Sequence, residues 1–414
     1  MSSRQWLQPL RERNFRLFFL GQTASQIGTG MAPVAVAFAV LAHGTASDVG
    51  YVLAAGTVPL VLFLLVGGVV ADRISRRRLM LMSDVLRTAA EVGLGLWVLL
   101  GLPPLWGFMA LAALMGIGQA FFGPAMTGIV PQLLHADMLQ QGNALNGIST
   151  SSGGVIGPAI AGVIVAAASP GWAILVDGAS YLMSVISLAL IRINWSVSEH
   201  PEAFVALLRE GWREFWSRTW LWVIVIQSAF VNALFASVFV LGPVVAKQSL
   251  GGASSWGAIL AAEGAGAVIG GIVMLRVHPR RPLLVANLSS LVFALPLFFV
   301  ATRSAVIVIA VSAFLAGAFI AVFSVQWTTT MQREIPTHVL SRVSAYDWFG
   351  SLVILPIGMA LAGPVASKIG ITTTLVGCGV LIFLLIVATL LVPSVVRLTA
   401  PSEGKETGMT GLTS

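Results

Sequence analysis

Long apolar segments alternate with short polar ones along almost the whole chain. A helix needs about 20 mostly apolar residues to cross the hydrocarbon core of a bilayer, and helices satisfy all their backbone hydrogen bonds there. The pattern therefore predicts twelve transmembrane helices, over residues 17–42, 50–71, 79–101, 105–130, 144–168, 172–193, 220–246, 254–275, 282–302, 304–330, 343–367 and 370–393.

The polar segment that follows the second predicted span recurs in weakened form after the eighth. Residues 68–78 (GVVADRISRRR) match residues 271–281 (GIVMLRVHPRR). Each copy ends one apolar run and leads into the next, so the chain has two halves of like topology. We predict an all-α integral membrane protein whose twelve transmembrane helices form two six-helix halves, residues 1–193 and 220–396.

Charged and large apolar residues are interleaved between the two predicted halves. Residues 194–219 place Glu210 and Arg213 beside Trp212, a spacing typical of an amphipathic helix on the membrane interface. This segment is predicted to be a cytoplasmic amphipathic linker and not a soluble domain. Residues 397–414, rich in Ser, Thr, Gly and charge, are predicted to form a disordered cytoplasmic tail.

The composition agrees with a lipid environment. Hydrophobic residues make up 57% of the chain and charged residues 9%, too few to cover a water-soluble surface of this size. Lys and Arg stay in cytoplasmic loops, and with both termini inside only Lys247, Arg303 and Lys368 fall outside. The positive-inside bias explains the net charge of +7, so no nucleic acid is expected as a partner. We predict a multi-pass protein of the cell (inner or cytoplasmic) membrane.

The loop between the second and third spans carries a resemblance. Gly68-x3-Asp72-Arg73-x2-Arg76-Arg77 is similar to the loop signature of the major facilitator superfamily, and the likeness covers nearly the whole chain. Segments 13–18 and 177–180, with the amphipathic linker, resemble its enterobactin and macrolide exporter branch. The resemblance implies the major facilitator fold. Ser75 stands where Gly is common and Leu275 replaces the acid in the second copy, so the two copies are not expected to make equivalent contacts.

In this superfamily the loop cluster latches the cytoplasmic ends of the two halves in one access state. The resemblance gives that role to Asp72, Arg73, Arg76, Arg77, Asp84 and Arg87. Arg87 lies at i,i+3 from Asp84 and at i,i+4 from Glu91, a spacing that allows a charge relay on one face of the helix. The alternative, favoured for Arg78, is that loop arginines only set topology and contact lipid headgroups.

The fifth span is similar to a glycine and proline signature of the superfamily's antiporters, with Ala161 in place of one glycine. Its residues are Gly153, Gly157, Pro158 and Gly162. Gly153 and Gly157 lie one turn apart, which lets another helix approach closely, and Pro158 can bend the span. Ordinary helix packing is the alternative, because small residues are common in membrane helices.

Spans one, four, seven and ten line the cavity in this superfamily, and here they carry amides and hydroxyls in place of charges. The candidate cavity residues are Gln22, Gln26, Thr29, Gln119, Gln227, Asn232 and Gln326. Such a lining predicts an amphiphilic or hydrophobic substrate that resembles a drug, macrolide or siderophore. The alternative is that these amides and hydroxyls only form hydrogen bonds between helices. For Ser25 and Thr328 the two interpretations are equally supported.

Acids within the membrane are costly when charged and unpaired, so each is a functional hypothesis. The candidates for proton coupling are Glu263, Glu91 and Asp177, while Asp347 lies near the inner face. Glu263 ranks first because its Gly- and Ala-rich surroundings leave room for water. A permanently protonated Glu263 that bonds to backbone is the alternative, and a structural hydrogen bond is the alternative for Asp177.

No enzyme motif, metal-ligand spacing or nucleotide loop occurs, so an enzyme, a metal site and a cofactor are not expected. We predict a monomeric secondary exporter that works by alternating access with proton antiport, its partners being a small molecule, the proton and the bilayer. A proton-coupled or facilitative importer and a lipid flippase are alternatives within transport. A membrane sensor or scaffold that moves nothing is the alternative from another class.

Overall fold

The computed structural model describes residues 7–399 apart from 102, 136–137, 193–203, 275 and 278, and, within helices, leaves out the side chains of residues 65–73, 127, 204–208, 337–338 and 341. In this described part the chain is helical and contains no strand. The helices are α1 (Arg13–Val40), α2 (Ala46–Arg73), α3 (Arg76–Leu100), α4 (Leu105–Leu133), α5 (Leu139–Ala167), α6 (Pro170–Leu190), α7 (Phe204–Ser217), α8 (Thr219–Val245), α9 (Ala253–Met274), α10 (Pro282–Ser290), α11 (Ala294–Ala301), α12 (Val306–Glu334), α13 (Thr337–Leu352), α14 (Leu355–Ile369), α15 (Ile371–Leu390) and α16 (Pro393–Val396).

Eleven helical segments of the described chain are long and apolar enough to cross a membrane. The third predicted span, α3, has spanning length, but Asp84, Arg87 and Glu91 lower its hydropathy. The all-α membrane fold predicted from the sequence is confirmed.

Two spans are broken near their middle. A 3-10 turn, Leu291–Phe293, separates α10 from α11, and α14 begins just before Pro356 after a break that ends α13. Proline has no backbone N–H and clashes with the preceding turn, so it is accommodated at a helix start better than in a helix interior.

The first six spans and the last six pack in the same pattern. In the first set, α1 contacts α5 and α6, α4 contacts α2 and α3, and α3 contacts α6. In the second set, α8 contacts α14 and α15, α12 contacts α9, α10 and α11, and α11 contacts α15. The weak repeat in the sequence is therefore also a repeat of helix packing.

The two sets meet along α5 with α9 and along α2 with α14, and these contacts close one end of the bundle. A methyl group added at Gly162 of α5 would lie 2.9 Å from the carbonyl oxygen of Ala253 in α9. Gly363 of α14 packs on the backbone of Ser47 in α2, and the Lys247 ammonium donates to the carbonyl of Leu41.

The opposite end of the same interface is open. A cleft of about 940 Å³ separates the first half of α5 from the last half of α9, with Gly147 and Gly271 in its walls. Neither glycine has an atom within 4 Å of an added methyl position. The open end is the one that carries the arginine-rich loops.

The short helix α7 packs on the open end of the second set. Glu210 of α7 pairs with Arg342 of α13, and the Trp212 ring lies 5.3 Å from the ring of Tyr346. Trp212 is 49% exposed, as expected for a side chain at an interface. Helix α7 lies within segment 194–219, for which the sequence predicts an amphipathic linker, and residues 193–203 lie outside the described part.

Candidate functional site

Arg87 of α3 lies at the centre of a buried polar cluster in the first set of helices. It is 2% exposed, pairs with Asp84 one turn earlier and donates to Oε1 of Gln119 at 2.8 Å. Its guanidinium carbon lies 4.1 Å from the ring centroid of Phe122 and 4.4 Å from that of Tyr181. Asp84 neutralises the charge, and the two rings fix the guanidinium plane.

The structure contains one of the two contacts of the predicted charge relay, the ion pair between Arg87 and Asp84. Asp84 is fully buried, and its second oxygen accepts from Ser184 of α6 at 2.6 Å. A carboxylate held by two donors is a strong partner for a buried guanidinium. No ion pair joins Arg87 to Glu91 in the described part of the chain, so the second contact of that relay is not made here.

Glu91 of α3 and Asp177 of α6 are neighbours across the interface of these helices. A methyl group added at Gly178, the residue after Asp177, would lie 3.4 Å from Cβ of Glu91. The exposed fractions are 3% for Glu91 and 1% for Asp177. One oxygen of each, Oε2 of Glu91 and Oδ2 of Asp177, is buried without a hydrogen-bond partner in the described part of the chain.

A cavity of about 420 Å³ adjoins this acid pair. Its walls come from α1, α2, α3, α4 and α6, and Glu91, Gln119, Thr29 and Tyr181 are among its polar side chains. The hydroxyls of Thr29 and Tyr181 are hydrogen-bonded to each other at 2.8 Å. The Glu91 carboxyl therefore borders a mostly apolar space within the first set of helices.

A second cavity, of about 360 Å³, lies in the second set among α8, α10, α12, α13 and the 3-10 turn Leu291–Phe293. Gln227 and Asn232 of α8 line it, and Asn232 donates to the carbonyl of Ser351 at 3.0 Å. Oε1 of Gln227 is buried and has no partner in the described part. Asp347 also lines this cavity and accepts from the indole N–H of Trp327 at 3.0 Å.

The predicted cavity residues thus separate into three groups. Thr29 and Gln119 line the first cavity, although Gln119 is engaged by Arg87, and Gln227 and Asn232 line the second. The remaining three contact neither: Gln22, Gln26 and Gln326. Thr328, which the sequence left open, lines the second cavity.

Glu263 of α9 occupies a different environment from the Glu91–Asp177 pair. Its backbone carbonyl packs on Gly317 of α12, and the next residue, Gly264, packs on Gly154 of α5. The side chain is half-buried, and its carboxyl has no hydrogen-bond partner among the described side chains. Glu263 therefore lies where α9 is in contact with both α5 and α12.

The loop arginines contact helix ends of their own set. Arg76 donates to the carbonyl of Gly128 in α4, and Arg77 donates to the carbonyls of Leu188 and Ala189 at the end of α6, each at 2.7 Å. Leu188 and Ala189 lie in the last turn of α6, where carbonyls lack intrahelical donors, so the Arg77 guanidinium satisfies them. The side chains of Asp72 and Arg73, the other predicted latch residues of this loop, lie outside the described part.

The small residues of α5 make close contacts on two faces. A methyl group added at Gly157 would lie 2.5 Å from the carbonyl oxygen of Ile27 and 2.6 Å from the carbonyl carbon of Gly30, both in α1. Gly153 likewise packs on the backbone of Gln26. The other face meets α9, where Pro158 packs on Gly257.

Two features of the site were missed in the sequence. The bond between Trp327 and Asp347 joins residues on different helices, and the place of Tyr181 against Arg87 depends on how α6 packs on α3. Asp347 was noted only as an acid near the inner face. A tryptophan on the tenth span, beside the predicted Gln326, is the available sequence signal for that bond.

Comparison with known proteins decides the family. A family model described as "transmembrane secretion effector" (MFS_3) matches residues 4–405, nearly the whole chain. The chain belongs to this family. The resemblance to the major facilitator superfamily that the sequence indicated is therefore confirmed. The family consists of membrane transporters and not of enzymes.

Two curated relatives of this MFS_3 chain are named as exporters. It is 27% identical to the multidrug efflux pump Tap of Mycolicibacterium fortuitum over 406 residues, 94% of this chain and 97% of Tap. It is 28% identical to the enterobactin exporter EntS of Shigella boydii serotype 18 over 410 residues, 94% of this chain and 96% of EntS. The predicted likeness to the enterobactin and macrolide exporter branch agrees with these relatives.

Solved structures show the same fold at low sequence identity. The nucleoside transporter NupG matches with a TM-score of 0.72 and 10% identity, over 91% of this chain and 98% of NupG. A POT family transporter in complex with 5-aminolevulinic acid matches with a TM-score of 0.73, at 12% identity over 92% of this chain and 96% of that chain. The twelve-helix major facilitator fold is thereby confirmed for this MFS_3 chain.

Proposed function

We propose that this MFS_3 chain is a secondary exporter of amphiphilic or hydrophobic small molecules, of the drug or siderophore kind, that works by alternating access in the cytoplasmic membrane. The observation that carries the proposal is the interface between the two sets of helices. It is closed where α5 meets α9 at Gly162 and open at Gly147 and Gly271. The exporter names of Tap and EntS support the direction of transport.

The orientation follows the positive-inside rule, with both termini in the cytoplasm. In that orientation the open cleft faces the cytoplasm, from which an exporter takes its substrate. Closing the cleft at Gly147 and Gly271 while α5 and α9 separate at Gly162 and Ala253 would expose the cavities to the outside. The chain is proposed to do this as a monomer, with residues 1–193 and 220–396 as the moving halves.

The mostly apolar cavities support the substrate class. Amides, hydroxyls and aromatic rings supply most of the polar character, and the one arginine beside the first cavity in the described part of the chain, Arg87, is neutralised by Asp84. A strongly anionic substrate would therefore find no free cation among the described residues of either cavity wall. Drugs and siderophores with large apolar surfaces fit such a lining.

Proton antiport is proposed as the driving reaction, with the Glu91–Asp177 pair as the first site of exchange. Two buried carboxyl groups on neighbouring helices cannot both be charged at low cost, so at least one of them is expected to hold a proton. Glu91 borders the first cavity, from which water can reach that proton. Glu263 is the second candidate, because its carboxyl has no partner among the described side chains and α9 moves against α5 in the proposed cycle.

A susceptibility panel tests the proposal. A strain deleted for its own exporters is compared with and without this chain across drugs and siderophores, and the chain is expected to raise resistance to a subset. Unchanged susceptibility across the panel would count against export. Flux of the selected compound into proteoliposomes then separates an exporter from a sensor or scaffold, and labelled lipid tests for a flippase.

A further inference from the structure

We propose that the second cavity contains a binding subsite for a monovalent organic cation, with Asp347 as its charged anchor and aromatic rings as its walls. The proposal rests on the exporter function above and names the substrate class that this cavity would select. The sequence prediction did not place a charge requirement in the cavity, because its candidate residues were neutral.

Asp347 is held in place by neutral donors. The indole N–H of Trp327 donates to Oδ2 at 3.0 Å, and the hydroxyl of Ser351 lies 3.5 Å from Oδ1. Neither donor carries a charge, and no ion pair links Asp347 to a basic side chain in the described part of the chain. The carboxylate therefore keeps lone pairs and an uncompensated charge at the cavity wall.

Aromatic rings line the same cavity as the carboxylate. Trp327, Trp348, Phe293 and Phe323 all line the cavity, and the rings of Phe323 and Trp327 are stacked at 6.2 Å. Aromatic faces attract cations, most strongly where water is displaced. A carboxylate among such faces is complementary to a protonated amine or a quaternary centre that carries apolar groups.

Two observations favour an organic cation over a metal ion. Asp347 is the one carboxylate among the described lining residues, whereas calcium and magnesium sites need several oxygen ligands. The cavity, at about 360 Å³, is also within the range of small-molecule pockets.

The subsite lies on the path by which a substrate would arrive. Asp347 is in the first two turns of the spanning segment Arg342–Ile369, at the open end of the bundle. The Glu91–Asp177 pair of the first cavity lies deeper and in the other set of helices. An organic cation bound at Asp347 would thus be captured from the cytoplasmic side without occupying the site proposed for the proton.

Binding to the intact protein in lipid nanodiscs tests the proposal. Equilibrium dialysis measures the affinity for tetraphenylphosphonium, a lipophilic cation, and for triphenylphosphine oxide, a neutral molecule of related shape. Asp347→Asn keeps the size of the side chain and an acceptor for Trp327, while Asp347→Glu keeps the charge. Glu334→Gln is the matched control, because it removes an exposed acid at the same end of the bundle.

We expect Asp347→Asn to weaken tetraphenylphosphonium binding at least tenfold and to leave triphenylphosphine oxide binding unchanged. Asp347→Glu and Glu334→Gln should bind both molecules within threefold of wild type. Wild-type affinity of Asp347→Asn for the cation, equal losses for both molecules, or no cation binding by wild type would each overturn the proposal.

Transport is measured separately, so the two proposals can fail independently. Cation binding that depends on Asp347 without flux in proteoliposomes would support the subsite and contradict the exporter function. If the protein exports panel compounds but Asp347→Asn does not change its affinity for the cation, the exporter function is supported and the subsite is contradicted.

Discussion

Arg87 forms an ion pair with Asp84, which lies one helical turn before it in α3. Glu91, one turn after Arg87, has no basic partner among the described side chains. Arg87 and Glu91 therefore belong to different interactions, although their i,i+4 spacing would allow them to pair. Arg87 with Asp84 forms a neutral structural pair, whereas Glu91 packs against Gly178, the neighbour of Asp177, and lines a cavity.

Glu91→Gln is expected to abolish efflux driven by a pH gradient while substrate binding stays near wild type. Glutamine keeps the size of the side chain but carries no exchangeable proton. Proteoliposome efflux with and without an imposed pH gradient measures the effect, and Asp177→Asn should behave in the same way. If Glu91→Gln pumps normally and Glu263→Gln does not, coupling belongs to α9 and the assignment to the pair is wrong.

Asp84→Asn should destabilise the protein, because it leaves the Arg87 guanidinium buried without a counter-charge. Breaking a buried ion pair on one side costs about 3–5 kcal/mol. Replacing both residues, as in Asp84→Asn with Arg87→Met, should recover most of that loss. Unfolding in detergent measures these changes, with the exposed Arg78→Gln as control; a wild-type midpoint for Asp84→Asn would refute the structural pair.

Gly157→Leu is expected to insert in the membrane but to lose transport. The added side chain would overlap the backbone of α1 at Ile27 and Gly30, so α1 and α5 must move apart. Gly93→Leu is the matched control, since nothing lies within 4 Å of a methyl group at that position. Wild-type flux in Gly157→Leu, measured at equal membrane levels, would show that this close contact is dispensable.

Asp72→Asn tests the latch that the loop signature implies. We expect normal insertion, a shift toward the cytoplasm-facing state and a strong loss of transport. A single cysteine at position 147, introduced in a Cys378→Ser background, reports access to the cleft from the cytoplasmic side. If wild type and Asp72→Asn show equal labelling of the cysteine at position 147 and equal transport, Asp72 has no latch role.

The helices and their repeat could be predicted because hydrophobic length and loop charge are local properties. The breaks at Leu291–Phe293 and before Pro356 were missed, since the apolar pattern continues through both. The predicted start of the first span, residue 17, was four residues late, because α1 begins at Arg13 and a polar stretch can stay helical beyond the hydrocarbon core.

The candidate site was only partly predictable for a different reason. Thr29 and Gln227 were found because polar residues on an apolar span are conspicuous in the sequence. The partner of Arg87 and the bond from Trp327 to Asp347 depend on helix rotation and packing, which one sequence does not encode locally. Gln326 illustrates the same limit, because it is polar and on the expected span but faces neither cavity.

Uptake into everted membrane vesicles tests the exporter account most directly. Vesicles from a strain deleted for its own exporters are acidified inside by respiration, and a compound selected in the susceptibility panel is added outside. The account predicts accumulation that needs this chain, stops when a protonophore collapses the gradient and is lost in Gly157→Leu. Accumulation in right-side-out vesicles with none in everted ones would contradict it and indicate an importer.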